Sequence, residues 1–196
     1  METVVPTKLK IAEAAIRVAM ANSLANLTVG EVAKEAGVST ALVHYHFDTK
    51  QALIVAAAER AGTEEAEAMA RAFTHGRGLE TLDRIWAVLQ ERVASGAARL
   101  RAELLVRTAR DPDVAAAVGR SAAAVRDALA SRLPPLLREL GASLTGPADE
   151  VAAAIAALLD GLALTLAAGA PPAEVRASYD AFWLMMLAAD QGGRRR

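Results

Sequence analysis

Residues 27–54 read LTVGEVAKEAGVSTALVHYHFDTKQALI. Thr28 and Glu31 stand three apart ahead of an apolar run, the spacing of a capping box: the hydroxyl accepts from the Glu31 amide and the carboxylate reaches back. A short helix is therefore predicted over 29–36, broken by Gly37. Ser39 caps a second short helix over 40–46, and Asp48, with Gln51 three residues on, is expected to cap a longer one running to about Ala72. Two short helices joined by a tight, glycine-containing turn are the mark of a helix-turn-helix. Val32, Ala33, Val38, Val43 and Phe47 can pack the pair together, and Ala36 and Gly37 allow close approach. Thr40, Ala41, Leu42, His44, Tyr45 and His46 are left as outward and flanking positions. Such a helix fits the DNA major groove, about 12 Å wide, with its N-terminal residues at the base edges.

Other chemistries fit the stretch poorly. His44 and His46 would lie about 200° apart around a helix, whereas two histidines holding one ion from a helix need i, i+4 spacing; no metal site is expected. Ser39, His44 and Asp48 could be drawn as a triad, but two of them sit where helix caps are needed. The chain has no nucleophile elbow, phosphate-cradling loop or dinucleotide fingerprint, so neither an enzyme nor a cofactor is expected.

Composition points the same way. The 196 residues are 54% hydrophobic, largely alanine and leucine, and only 4% aromatic, which favours helix over strand. Cysteine is absent, excluding disulfides and thiolate chemistry. The net charge of −1 excludes a generic polyanion binder, yet all four lysines (Lys8, Lys10, Lys34, Lys50) fall in the first fifty residues. Any nucleic-acid surface must come from placement, since Arg17 joins them against five acids. The N-terminus has no unbroken apolar region of a signal peptide. Residues 151–170, VAAAIAALLDGLALTLAAGA, could pass for a membrane span, but Asp160 at the centre would cost about 2.5–3.5 kcal/mol in lipid. A buried helix is the better reading, with no membrane partner.

Outward from the opening stretch, a first amphipathic helix is predicted over 7–22. After His75-Gly-Arg-Gly78, Leu82, Ile85, Trp86, Leu89 and Val93 make one apolar stripe, and Leu100, Leu104 and Leu105 begin another. Asp111-Pro112 is a strong helix start, and Pro134-Pro135 should end or kink that helix near Leu133. Gly146-Pro147 and Pro171-Pro172 open the last two. The chain reads as all-α, roughly nine helices in two domains: 1–58 a three-helix DNA-binding domain and 59–190 a larger helical domain. Residues 191–196 are expected to be a disordered basic tail.

The stretch 27–54, supported by Ile11, Ala14 and Ala15 in the first helix, resembles the DNA-binding domain of the TetR/AcrR family of bacterial transcriptional regulators. The matching features are the Thr28 cap, Val32-Ala33, Ala36 to Ser39, the aromatic-rich Tyr45 to Phe47, and Thr49, Lys50 and Leu53. The resemblance implies that Ser39, Thr40 and Ala41 lead the recognition helix into the groove, with Thr28, Tyr45, His46 and Lys50 on flanking phosphates. There are departures. His44 stands where tyrosine is usual, on the DNA-facing side; Thr40-Ala41 often reads Lys-Gly; and Ser23 replaces a usual glycine after the first helix, which puts the local turn geometry in question.

For the second domain the resemblance implies effector binding and dimerisation through the last two long helices. Ile155, Leu158, Leu159, Leu162 and Leu166, with Tyr179, Phe182 and Met186, are the expected dimer contacts. Trp86, Leu89, Gln90, Leu104, Arg107 and Trp183 are the candidate ligand contacts, facing a mainly hydrophobic effector. The function expected is a cytoplasmic, homodimeric repressor released from a palindromic double-stranded DNA operator by a small molecule. A helical protein-interaction module with vestigial DNA binding is the alternative.

Overall fold

The computed structural model describes residues 6–144 and 146–193. Among them are nine α-helices and no strand: α1 (Thr7–Asn22), α2 (Val29–Ala36), α3 (Thr40–His46), α4 (Lys50–His75), α5 (Leu79–Ala94), α6 (Ala97–Thr108), α7 (Pro112–Glu139), α8 (Ala148–Ala167) and α9 (Pro172–Gly193). The Thr28 capping box forms in full, and the Ser39 hydroxyl accepts from the Leu42 amide at 3.1 Å. Asp48, however, is not the cap of α4. The helix begins one residue later than expected, and Thr49 takes the role, its hydroxyl accepting from the Ala52 amide at 3.0 Å. Both residues carry a capping oxygen, and the sequence alone does not choose between them.

Pro134 and Pro135 lie inside α7 and do not end it. A proline in a helix interior costs about 3 kcal/mol, but Leu133, Leu136 and Leu137 are all buried. Burying a leucine contributes about 1.5–3 kcal/mol, so continuing the helix wins. α9 likewise runs on to Gly193, into the stretch expected as a tail; residues 194–196 lie outside the described ones.

The chain divides into two compact units, and a single cut near residue 58 does not describe them. The first holds residues up to 64 together with 99–122; the second holds 65–98 and 123 onward. In the first unit Ile11, Leu27, Val32, Val43, Phe47, Leu53 and Ile54 share a core with Leu100, Leu104, Val114 and Ala117. Asp111 fastens the start of α7: Oδ1 accepts from the Val114 amide at 3.1 Å, while Oδ2 accepts from Arg107 Nε at 3.1 Å and from the Gln51 amide. Arg107 also donates to Gln51 Oε1 at 2.6 Å.

The Val114 amide first, and then Arg107 and Gln51, hold the Asp111 carboxyl below its ordinary value of 3.8, against the opposing effect of burial. A depressed folded-state pKa contributes stability that is complete above the unfolded value and is lost as pH falls through the folded one. The melting temperature of the protein should therefore exceed that of Asp111→Asn at neutral pH. The gap should narrow as the pH falls below the ordinary carboxyl value of 3.8 and close once the lower folded-state value has been passed. A gap that persists in acid would show that shape, rather than charge, sets the contribution.

In the second unit the core gathers Ile85, Trp86, Leu89, Leu129, Leu133, Ile155, Leu159, Tyr179 and Trp183. The Tyr179 hydroxyl donates to the Leu82 carbonyl at 2.6 Å, and burial holds this phenol protonated, its pKa well above the usual range. Arg92 on α5 reaches Asp160 on α8 at 2.6 Å and Glu65 on α4 at 3.0 Å, tying three helices together. α8 is long and apolar enough to cross a membrane by length and composition. Its central carboxylate is nonetheless occupied by that guanidinium, and Ala152, Ile155, Leu159, Leu162 and Ala163 are buried in the core.

Candidate nucleic-acid interface

The helix-turn-helix is made by α2 and α3. At the end of α2, Gly37 adopts φ 63°, ψ 39°, the left-handed conformation that glycine enters without steric cost. Its amide donates to the Lys34 carbonyl and the Val38 amide reaches back to Ala33 at 3.0 Å, so the turn's backbone donors are satisfied. Val43 and Phe47 anchor α3 from below. On the other side Ser39, Thr40, Ala41, His44 and Tyr45 are exposed, His46 is half-buried, and Lys50 is exposed at the first position of α4. Tyr45 is 80% exposed, its ring edge-on to His46 at 5.2 Å. A phenol exposed beside an imidazole can hydrogen-bond a phosphate.

Thr28 differs from the other candidates. Its amide and hydroxyl both donate to Glu31 Oε2, at 3.2 and 2.7 Å. The capping box that starts α2 thus consumes the donors a phosphate would need.

The balanced charge of this region hides an uneven surface. Glu35 is paired with Arg17 at 2.6 Å, Glu13 with Arg60 at 3.2 Å, and Glu31 is held by Thr28. The lysines have no carboxylate within ion-pair distance among the described residues. These three carboxylates are engaged by arginine or by a cap, whereas the ammonium groups remain available. Two of them lie beside α3 although they are not among the expected contacts. Lys8 Nζ lies 5.5 Å from the centre of the Phe47 ring, just past α3. Lys10 Nζ stands beside Gly37, 3.9 Å from where a Cβ would project. Helix α1 thereby carries one cation to each end of α3. The clustering of every lysine in the first fifty residues was the signal for this.

The profile of the bacterial regulatory proteins of the tetR family matches residues 11–57, from α1 to the first turns of α4. This is a TetR-family domain. The fold is similar to known structures over most of the chain. A transcriptional regulator from Rhodococcus sp. Rha1 is 26% identical, covering 94% of this chain and 97% of its own, with a TM-score of 0.72. A proposed TetR-family transcriptional regulator from Rhodococcus sp. is 19% identical over 92% of this chain and 98% of its own, at 0.74. The multidrug binding protein EbrR, solved in complex with proflavin, is 27% identical over 90% and 97%, at 0.59. No curated protein sequence matches significantly. The chain, carrying a TetR-family domain, is a DNA-binding transcriptional regulator.

The residues expected around an effector do not form one set. Trp86, Leu89 and Trp183 share the core of the second unit, in contact with Tyr179 and Phe182 rings. Leu104 packs in the core of the first unit, and Arg107 is engaged there with Asp111 and Gln51. Gln90 is exposed. Of the apolar stripe expected on α6, Leu100 and Leu104 are buried and Leu105 is exposed, and periodicity does not say which core the buried pair enters.

The expected dimer contacts need a similar correction. Ile155, Leu159, Leu162 and Tyr179 are buried within their own chain, and Leu158, Leu166, Phe182 and Met186 are half-buried against the same core. None of the first four can face a partner. The outward residues are the small Ala153, Ala154, Ala157 and Gly161 on α8, and Ala177, Ala181 and the large Leu184 and Met185 on α9.

Proposed function

We propose that two copies of this TetR-family regulator bind a palindromic operator and repress transcription until a mainly hydrophobic small molecule occupies the second unit. What carries the DNA reading is the exposed polar face of α3 flanked by the unpaired Lys8, Lys10 and Lys50. Ser39, Thr40 and Ala41 are assigned to base edges, and Tyr45, His46, Lys50, Lys8 and Lys10 to phosphates. Thr28 is given the structural task of starting α2.

Dimerisation is supported by α8, whose most apolar window has a mean hydropathy of 1.8 but is only 28% buried within one chain. Alanines and a glycine on its outer face allow another helix to approach closely. The effector is placed against the aromatic cluster of Trp86, Tyr179 and Trp183, where an apolar, partly aromatic molecule would replace ring contacts. EbrR, similar in fold and bound to proflavin, supports that class of ligand.

The test is titration against DNA from the chain's own promoter region at two salt concentrations. Salt-sensitive, sequence-preferring binding is expected. Lys50→Ala should weaken binding to every sequence and reduce the salt slope by about one. Thr40→Ala should instead change which sequence is preferred. Equal, weak binding to all fragments would leave a helical interaction module as the better reading.

A further inference from the structure

The first unit contains a backbone conformation that its sequence does not favour. Ser23, at the end of α1, has φ 97° and ψ 145°, and is the non-glycine residue with positive φ among those described. Side chains other than hydrogen are disfavoured there, and such a conformation persists only where surrounding structure holds it. The residue holding it is 80 positions away. Glu103 Oε2, on α6, accepts from the Leu24 amide at 2.6 Å and from the Ser23 hydroxyl at 3.1 Å. The Ser23 hydroxyl in turn accepts from the Ala25 amide at 3.2 Å. One turn earlier on α6, Arg99 lies 3.7 Å from Glu103 and donates to the Met20 carbonyl, in the last turn of α1. A carboxylate and a guanidinium from α6 thus grip the turn between α1 and α2 from both sides.

That turn decides where α2 begins. Leu24 and Leu27 are buried, and Thr28 caps α2 only a few residues on. Because α2 packs directly on α3 through Val32, Ala33 and Val43, a change of backbone at Ser23 would move the recognition helix relative to the cations of α1. We propose that Glu103 is a positioning residue for DNA binding, a latch on α6 that holds the strained Ser23 turn in the conformation DNA requires. It touches no DNA itself. With glycine at this position the turn would hold its shape unaided; with serine the shape depends on α6. Any event that shifts α6 would therefore loosen the recognition helix.

This inference rests on the DNA-binding reading, and the experiment separates the two. Affinity for the promoter-region DNA is measured for the wild type, Glu103→Ala, Ser23→Gly and the double variant, well below each melting temperature. Exchange of the Leu24 amide is followed in the absence of DNA. Glu103→Ala should bind about tenfold more weakly, as expected if the competent turn is populated in about one molecule in ten, and its Leu24 amide should exchange faster. Ser23→Gly should bind within about twofold of the wild type, and adding it to Glu103→Ala should restore most of the affinity, because glycine adopts positive φ without help.

Should Glu103→Ala fail to fold, Glu103→Gln replaces it. Its amide oxygen still accepts but carries no charge, so a smaller loss with the same rescue by Ser23→Gly is expected. Wild-type affinity in the Glu103 variants, or a loss that Ser23→Gly does not repair, would overturn the latch. A wild type that binds no promoter fragment would overturn the DNA-binding reading instead.

Discussion

Replacing Ala157 by arginine is expected to convert the proposed dimer to monomers and to lower operator affinity by at least about a hundredfold. Ala157 is exposed on α8, with Ala153 and Ala154 one turn before it and Gly161 one turn after. A long cation in the middle of that surface cannot be accommodated where two helices meet closely. Two recognition helices joined by a dimer bind as one unit, and the second docks at an effective concentration set by the first; a monomer loses that gain. Leu159→Ala makes the contrast, since Leu159 is 2% exposed in its own chain. It should cost about 2–5 kcal/mol of folding stability and leave the molar mass unchanged. Sedimentation of both variants, with DNA titration alongside, decides the matter. A dimeric Ala157→Arg protein would place the partner surface elsewhere.

Gly62→Val should destabilise the first unit severely. Gly62 lies in α4 against Ser121 of α7, so close that a Cβ would fall 2.0 Å from the Ser121 hydroxyl oxygen and 2.9 Å from its Cα. The hydroxyl is itself committed, donating to the Ala117 carbonyl at 3.0 Å and lying 3.3 Å from that of Ala58. Overpacking of this kind costs about 1–3 kcal/mol where side chains can give way, and more where they cannot. Here the backbone of α7 must move too, so a loss of at least about 3 kcal/mol is expected. For a chain of this length that lowers the melting temperature by about 6–12 °C. Ser121→Gly should recover part of the loss but not all, since the backbone of α7 stays as close as before. An unchanged melting temperature would mean that α4 and α7 do not meet this closely.

The helix-turn-helix was legible because its determinants are local. Thr28 with Glu31, Gly37 and Ser39 act on amides within four residues of themselves, and each did so. Asp48 failed where two adjacent residues could serve the same amides, a difference too small for sequence to decide. Pro134-Pro135 failed for the opposite reason: a strong local signal was outweighed by three leucines committed to a core assembled from distant helices. The lysines show an intermediate case. Their clustering was plain in the sequence, but their freedom depends on where Glu13 and Glu35 find arginines, one of them far along the chain.

By itself, then, the sequence determined an all-helical chain, the limits of α1 to α3, the turn at Gly37 and the outward Thr40, Ala41, His44 and Tyr45, whereas Leu42 and His46, also expected outward, are half-buried. Capping bonds and a 3.6-residue period are short-range effects, written in residues a few positions apart. Only the tertiary structure decided which side of α8 and α9 stays open, because a helix apolar around most of its surface carries no internal preference for one face. It also decided that Leu104 joins the core of the DNA-binding unit, and that Ser23 keeps a backbone suited to glycine. That last outcome depends on Glu103, 80 residues on, whose carboxylate reaches Ser23 and Leu24 only once α6 has packed.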